Sequence, residues 1–225
     1  MTPTRASADL SRTWAIVPVR GLEVAKSRLG GQLDAEERLD LVTRLLERVI
    51  AAACASATLA GTIVVSPDPA ALELTERLGA TARRQTGSGL IAGLDEARAM
   101  AEKAGATAIL VLPADLPAVD GDAIDELLRQ IASQGAGLTP APARNNGLVG
   151  LVTDQHGSGT NALLLSPPSV IDFAFGPGSR VAHRRAAEDA GATYLELDGA
   201  LSLDLDTPDD LVLVERLLPG VVDAH

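Results

Sequence analysis

Three times between residues 13 and 133 the chain passes from a short, unbroken apolar run into a longer stretch whose apolar residues recur at helical spacing. The runs TWAIVPV (13–19), GTIVVS (61–66) and TAILVLP (107–113) are too short for buried helices and carry no alternation, as expected of strands covered on both faces. The stretches that follow them, 34–53 with LDLVTRLLERVI, PAALELTERLG ending at Gly79, and 121–133, have the 3.6-residue period. A further extended piece, ATARRQ, leads through TGSG into a helical LIAGLDEARAMAEKAG. This order implies right-handed crossovers and a parallel sheet with helices on both faces.

After residue 133 the alternation breaks. GLVGLVTD and TNALLLSPP read as two strands separated by QHGSG, and FAFGPGS leads into a charged helix over 180–190. TYLELDG and LSLDLD read as strands, and TPDDLVLVERLL as a closing helix. No internal repeat or long linker interrupts the chain. The expectation is one α/β domain over 13–219, with a mixed, mostly parallel sheet flanked by helices and tails at 1–12 and 220–225.

With 46% hydrophobic and 2% aromatic residues, the core must be built from aliphatic side chains. Cys54, the single cysteine, falls in a helical run and reads as a small apolar residue. No stretch is long enough to span a membrane, and residues 1–12 lack the apolar core of a secretory signal, so a cytoplasmic protein with no membrane partner is expected. A formal charge of −11 argues against nucleic acid as a partner, because such binding runs on clustered Lys and Arg. It also means that an anionic substrate must be drawn in by local cations or by metal.

LDLDTPDDL places four aspartates within seven residues. Thr207 suits a helix N-cap, Pro208 the first helical position, and Asp209 and Asp210 the first turn, so the latter pair has a structural account. Asp204 and Asp206, two apart on an extended segment, would share one face; they are either a solvated strand end or a divalent-cation site. Asp115, in VLPADLP, follows the third strand at its carboxyl end, where open α/β sheets bind ligands, although a turn or cap would use it equally well. Convergence of these three carboxylates without Cys or His points to Mg²⁺ or Mn²⁺ in preference to zinc.

Arg20, Lys26 and Arg28 follow the first strand, at the same predicted edge, as cations suited to phosphate. They do not belong to a Walker loop or a Rossmann glycine motif. Gly157, Ser158, Gly159, Thr160 and Asn161 form a small, hydroxyl-rich turn, while Gly176, Gly178 and Ser179 precede a helix whose amino end suits an anion. Arg180, His183 and Arg184 are expected to add positive charge there, with His156 and His183 at the surface or behind the site.

Taken in order, VPVRGLEVAKSRL, VLPADLP, DQHGSGTNALLLSPP, FAFGPGS followed by R-x-x-H, and LDLDTPDDL resemble the 2-phospho-L-lactate guanylyltransferase family (the CofC/FbiD type) of coenzyme F420 biosynthesis, over nearly the whole chain. The resemblance implies a GT-A-like, Rossmann-like nucleotidyltransferase fold and GTP as co-substrate. The acceptor it implies is a small phosphorylated three-carbon acid: 2-phospho-L-lactate, phosphoenolpyruvate or 3-phosphoglycerate. It further implies that Asp115, Asp204 and Asp206 bind Mg²⁺ or Mn²⁺ and act in catalysis with Lys26, that Lys26 and Arg28 face the triphosphate, and that Arg20, Thr160, Gly176 and Ser179 hold the acceptor. Its partners are small molecules, and it leaves room for a homodimer. Two positions depart from the family's usual pattern, Arg20 in place of Lys and Ile91 in place of a polar residue.

Other nucleotidyltransferases of this fold, acting on molybdopterin or sugar 1-phosphates, usually carry an L-x-G-G loop after the first strand, where this chain has VPVRGL. A non-catalytic nucleotide-binding module is the reading from another class.

Overall fold

In the computed structural model, which describes residues 8–22, 26–137 and 147–221, the alternating runs form a seven-stranded sheet of order β3-β2-β1-β4-β6-β5-β7. The strands are β1 (Thr13–Pro18), β2 (Leu59–Ser66), β3 (Thr81–Arg84), β4 (Ala108–Val111), β5 (Leu148–Val152), β6 (Ala162–Ser166) and β7 (Thr193–Leu197). Between and after them run α1 (Ala35–Ala55), α2 (Pro69–Arg77), α3 (Leu90–Lys103), α4 (Gly121–Gly137), α5 (Ser179–Ala190) and α6 (Pro208–Leu217). The mixed, mostly parallel sheet flanked by helices is the expected fold class.

Side chains of the central strands point alternately to two aliphatic layers. Ala15, Val17, Ala108 and Leu110 face α1, α2 and α4, packing with Leu46, Ile50, Leu74 and Leu128. Ile16, Ile109 and Val111 face the other way, onto Leu94, Ala97 and Ala101 of α3 and Ala187 of α5. A third, smaller cluster joins Leu29, Leu41, Leu45, Leu205, Leu211 and Val214, tying α1 to α6.

Helix starts follow their sequence signals. Asp34 caps α1, accepting the N–H groups of Glu36 and Glu37, while Glu37 accepts from the backbone of Asp34. Asp68 caps α2 with Pro69 at its first position.

Only β6 runs against its neighbours, pairing antiparallel with both β4 and β5, while β5 and β7 are parallel to each other. This reversal brings the start of β6 to the edge where the other strands have their carboxyl ends: Ala162 pairs with Val152, the last residue of β5. Residues after β1, after β4, before β6 and after β7 therefore meet at one edge. Beside β1 the chain order changes direction, since β2 lies on one side and β4 on the other, which makes the crevice between β1 and β4 the place for a ligand.

Two expectations need correction. LSLDLD is not a strand: residues Ala200–Ser202 make a 3-10 turn, Leu203 is extended, and 203–206 pair with no strand. Its backbone is engaged instead by side chains and by one turn, with Asn161 Nδ2 donating to the Ser202 carbonyl at 3.0 Å and the Leu205 N–H donating to the Asp115 carbonyl at 3.3 Å. Cys54 lies on α1 as expected, on its exposed side. Residues 8–12, read as tail, are anchored: the Arg12 guanidinium donates to the carbonyls of Ala104 and Gly105, and Leu10 packs on the core. The outer tail residues, 1–7 and 222–225, lie outside the described residues.

Candidate active site

The loop after β1 is pinned at two places. Leu22 is buried and donates its N–H to the Asp68 carboxylate at 2.8 Å, and Leu29 is fully buried in the third cluster. Between these anchors Lys26 takes a φ of +55°, a conformation costly for a side-chain-bearing residue and characteristic of functional loops. The Leu29 N–H donates to its carbonyl at 2.9 Å.

This backbone carries the Lys26 ammonium to both Asp115 and, at 2.6 Å, Asp206. Burial works against its charge, but the attraction of the two carboxylates outweighs that and raises its pKa. Asp206 is held from behind, because its N–H donates to the Asp210 carboxylate at 3.0 Å. Asp210 in turn completes the capping box of α6 with Thr207, as expected, and accepts a hydrogen bond from Gln155.

Asp204 faces the same cluster without touching the ammonium. It accepts from Asn161 Nδ2 at 3.3 Å, and its carboxyl is pushed up to about 6, first by burial and then by the charges of Asp115 and Asp206 working against that hydrogen bond. Two carboxylates thus share one ammonium with a third beside them, and three negative charges face one close positive charge. Among the described residues no three carboxylate, imidazole or thiol groups are gathered closely enough to cage a metal as they stand. The excess charge is nevertheless of the amount and donor type that one divalent cation would neutralise, so the residues fit Mg²⁺ or Mn²⁺.

A cleft of about 650 Å³ opens here, within the range that accommodates a small organic ligand. Asp115, Asp206 and Lys26 line it, together with the exposed cations Arg20 and Arg28, which have no carboxylate partner among the described residues. Apolar wall comes from Val42, Leu45, Leu90 and Leu94, a mixture suited to a ligand with one flat and one highly charged part.

The segment before β6 meets the start of α5 at the same cleft. Thr160 and Gly176 line it, Gly176 with a φ of +127° that favours glycine. Ser179 lies behind them, 2% exposed, with its Oγ 2.9 Å from Thr160 Oγ1. The sequence-derived residues therefore converge, with Ser179 and Asp204 set back from the wall.

The positive charge expected at the amino end of α5 is not turned to the cleft. His183 is fully buried, bonded to Thr160 and to the Ala174 N–H, and burial pushes its imidazole down to about 4, so it is neutral. Arg180 is turned to the Gly157 carbonyl and Glu196, and Arg184 pairs with Glu188. His156 is exposed, 3.9 Å from Asp210. The spacing of Ser179, His183 and Ala187, four residues apart on one helix face, was the available signal that His183 points inward. Gln155 and Asn161 hold the aspartate segment in place, a role that no local pattern announces.

Compared with known proteins, residues 13–221 match the family described as guanylyl transferase CofC like. The chain is 43% identical over 203 residues to the phosphoenolpyruvate guanylyltransferase of Rubrobacter xylanophilus, covering 90% of this chain and 93% of that one. It is 41% identical over 200 residues to the protein of the same name from Sphaerobacter thermophilus, covering 88% and 90%. Among solved structures, a 4-diphosphocytidyl-2C-methyl-D-erythritol synthase superposes with a TM-score of 0.57 at 14% identity, covering 94% of this chain and 99% of that one, a shared fold.

Proposed function

This chain belongs to the CofC-like guanylyl transferase family, and from that premise we propose that it transfers GMP from GTP to the phosphate of phosphoenolpyruvate, or of the closely similar 2-phospho-L-lactate or 3-phosphoglycerate, in the formation of a coenzyme F420 precursor. Phosphoenolpyruvate stands first because the relatives at 41–43% identity carry that substrate in their names. The observation that carries the reading is the cleft itself, where Lys26, Arg20 and Arg28 offer positive charge beside an over-supplied carboxylate cluster.

In the reaction a phosphate oxygen of the acceptor forms a bond to the α-phosphorus of GTP. The bond from that phosphorus to the α,β-bridging oxygen breaks, and pyrophosphate leaves with the electron pair. The nucleophile is already an anion at neutral pH, so the site needs no general base, which suits a cleft behind whose wall His183 is buried and neutral. Asp115, Asp204 and Asp206 would hold Mg²⁺ or Mn²⁺, which when bound supplies charge neutralisation at the phosphates. Lys26 and Arg28 orient the triphosphate, and Arg20, Thr160, Gly176 and Ser179 orient the acceptor. Much of the barrier is met by alignment, worth several kcal/mol when both reactants are held in line, roughly 7–11 kcal/mol at best.

The test is pyrophosphate release with GTP and Mg²⁺ in three parallel reactions, one per acceptor, with mass spectrometry of the product. A guanylylated acid from one of them supports the reading. Pyrophosphate from none, with GTP still bound, transfers the assignment to another nucleotidyltransferase acceptor.

A further inference from the structure

The polar contacts beneath Thr160 can be followed proton by proton. The N–H of Ala174 donates to His183 Nε2 at 3.0 Å, and a backbone amide has no lone pair to receive a proton in return. Nε2 must therefore be bare, and the proton of a neutral ring sits on Nδ1. Nδ1 lies 3.2 Å from Thr160 Oγ1, which lies 2.9 Å from Ser179 Oγ. Among the described residues these are the contacts of the two hydroxyls. Three protons, one on Nδ1 and one on each hydroxyl, serve two contacts, so one is left over. Because Ser179 is buried and Thr160 lines the cleft, Thr160 accepts from both neighbours, which fills its two lone pairs and aims its own proton into the cleft. With the proton on Nε2 instead, Thr160 would have to donate inward to Nδ1, and that wall would present a lone pair that repels an anion.

We propose that His183 is a positioning residue: the Ala174 N–H locks it as a donor at Nδ1, and this turns the Thr160 hydroxyl into a donor toward an anionic oxygen of the acceptor acid. The ring is held for this task by the edge of Phe175, 5.0 Å away between centroids and inclined at 74°. The proposal rests on the reading above in taking the bound anion to be a phosphorylated acid.

Two isosteres separate this role from simple support of the fold. His183→Asn places an amide N–H near the Nδ1 position and loses the acceptor for Ala174; His183→Gln keeps an acceptor near the Nε2 position and loses the donor to Thr160. In steady-state kinetics His183→Gln is expected to raise KM for the acceptor acid about tenfold or more, with KM for GTP changed less than about twofold, and His183→Asn to restore most of the loss. The reverse order, equal losses, or no loss in the Gln variant overturns the proposal. The wild-type protein supplies an independent readout, since ¹⁵N NMR distinguishes the tautomers: Nδ1–H is expected, and Nε2–H overturns the proposal even if neither variant folds. Should the wild type transfer no guanylyl group to any of the three acids, the functional reading falls. The tautomer, and calorimetric binding of inorganic phosphate to wild type and His183→Gln, weaker in the variant if the proposal holds and equal if it does not, still decide the role of His183.

Discussion

At Asp204 burial and the neighbouring carboxylates act in the same direction, and outweigh the relief from the Asn161 amide and the Lys26 charge. Removing the charge removes a cost to the folded state together with a metal ligand. Asp204→Asn is therefore expected to melt no lower than the wild type, while guanylyl transfer falls by a factor of about 100 or more, the separation of stability from activity found where a site is held in a costly arrangement. Thermal melts and pyrophosphate release on the same preparation check both halves, and a variant with most of its turnover intact would sink the metal assignment. His183 gives the opposite sign with pH. Its imidazole titrates near 6.5 when unfolded and near 4 when folded, so between those values the unfolded chain holds a proton that the folded chain lacks. Stability is fully present above about pH 6.5 and is lost as pH falls, by on the order of 3 kcal/mol at pH 4. Urea unfolding from pH 7 to 4 is expected to show a shallower loss for His183→Gln, which cannot titrate.

At the scale of elements, α6 and the segment before it work as one piece. Asp210 accepts from the backbone of both Asp206 and Thr207, so the helix cap is also the clamp on a cleft carboxylate. Asp210→Ala is expected to cost about 1–2 kcal/mol, as for loss of a good cap, and to lower turnover as well, whereas Asp209→Ala, exposed in the same turn, leaves turnover unchanged. Denaturant melts and the same assay distinguish the two. This is also where reading from the chain reached its limit. Helix α6 was legible because Thr207, Pro208 and Asp210 carry a local capping signal, and the first strands because their apolar runs are bounded by turns. LSLDLD satisfied the local pattern of a strand equally well, yet its hydrogen-bonding groups are taken by Asn161, Gln155 and the Asp115 turn, partners far away in the chain. The convergence of Lys26 on Asp115 and Asp206 was foreseeable only as a shared sheet edge, because the ion pairs depend on how three loops pack. The burial of His183 was missed because its helix carries five charged residues around the inward-facing stripe, masking the period.

For the whole molecule, a net charge of −11 repels GTP and the acceptor alike, so recognition has to be local to the cleft. Arg28→Glu and Arg129→Glu change the total charge equally, but Arg28 lines the cleft and Arg129 is an exposed residue of α4 paired with Glu126. At about 0.15 M salt, where charges are screened beyond roughly 8 Å, the first is expected to raise KM for GTP by about tenfold or more and the second by less than about twofold. Equal effects would show that the overall field governs substrate capture. One further property follows from the ammonium that joins Asp115 and Asp206. Those contacts link residues 89 and 180 positions apart, so the first contributor leaves the ribosome long before the last. A nascent chain that has reached the end of β4 and Asp115 holds only one of the two carboxylates that Lys26 meets. A chain cut short before residue 206 lacks one of the two carboxylates that meet this ammonium, and is expected to release no pyrophosphate from GTP.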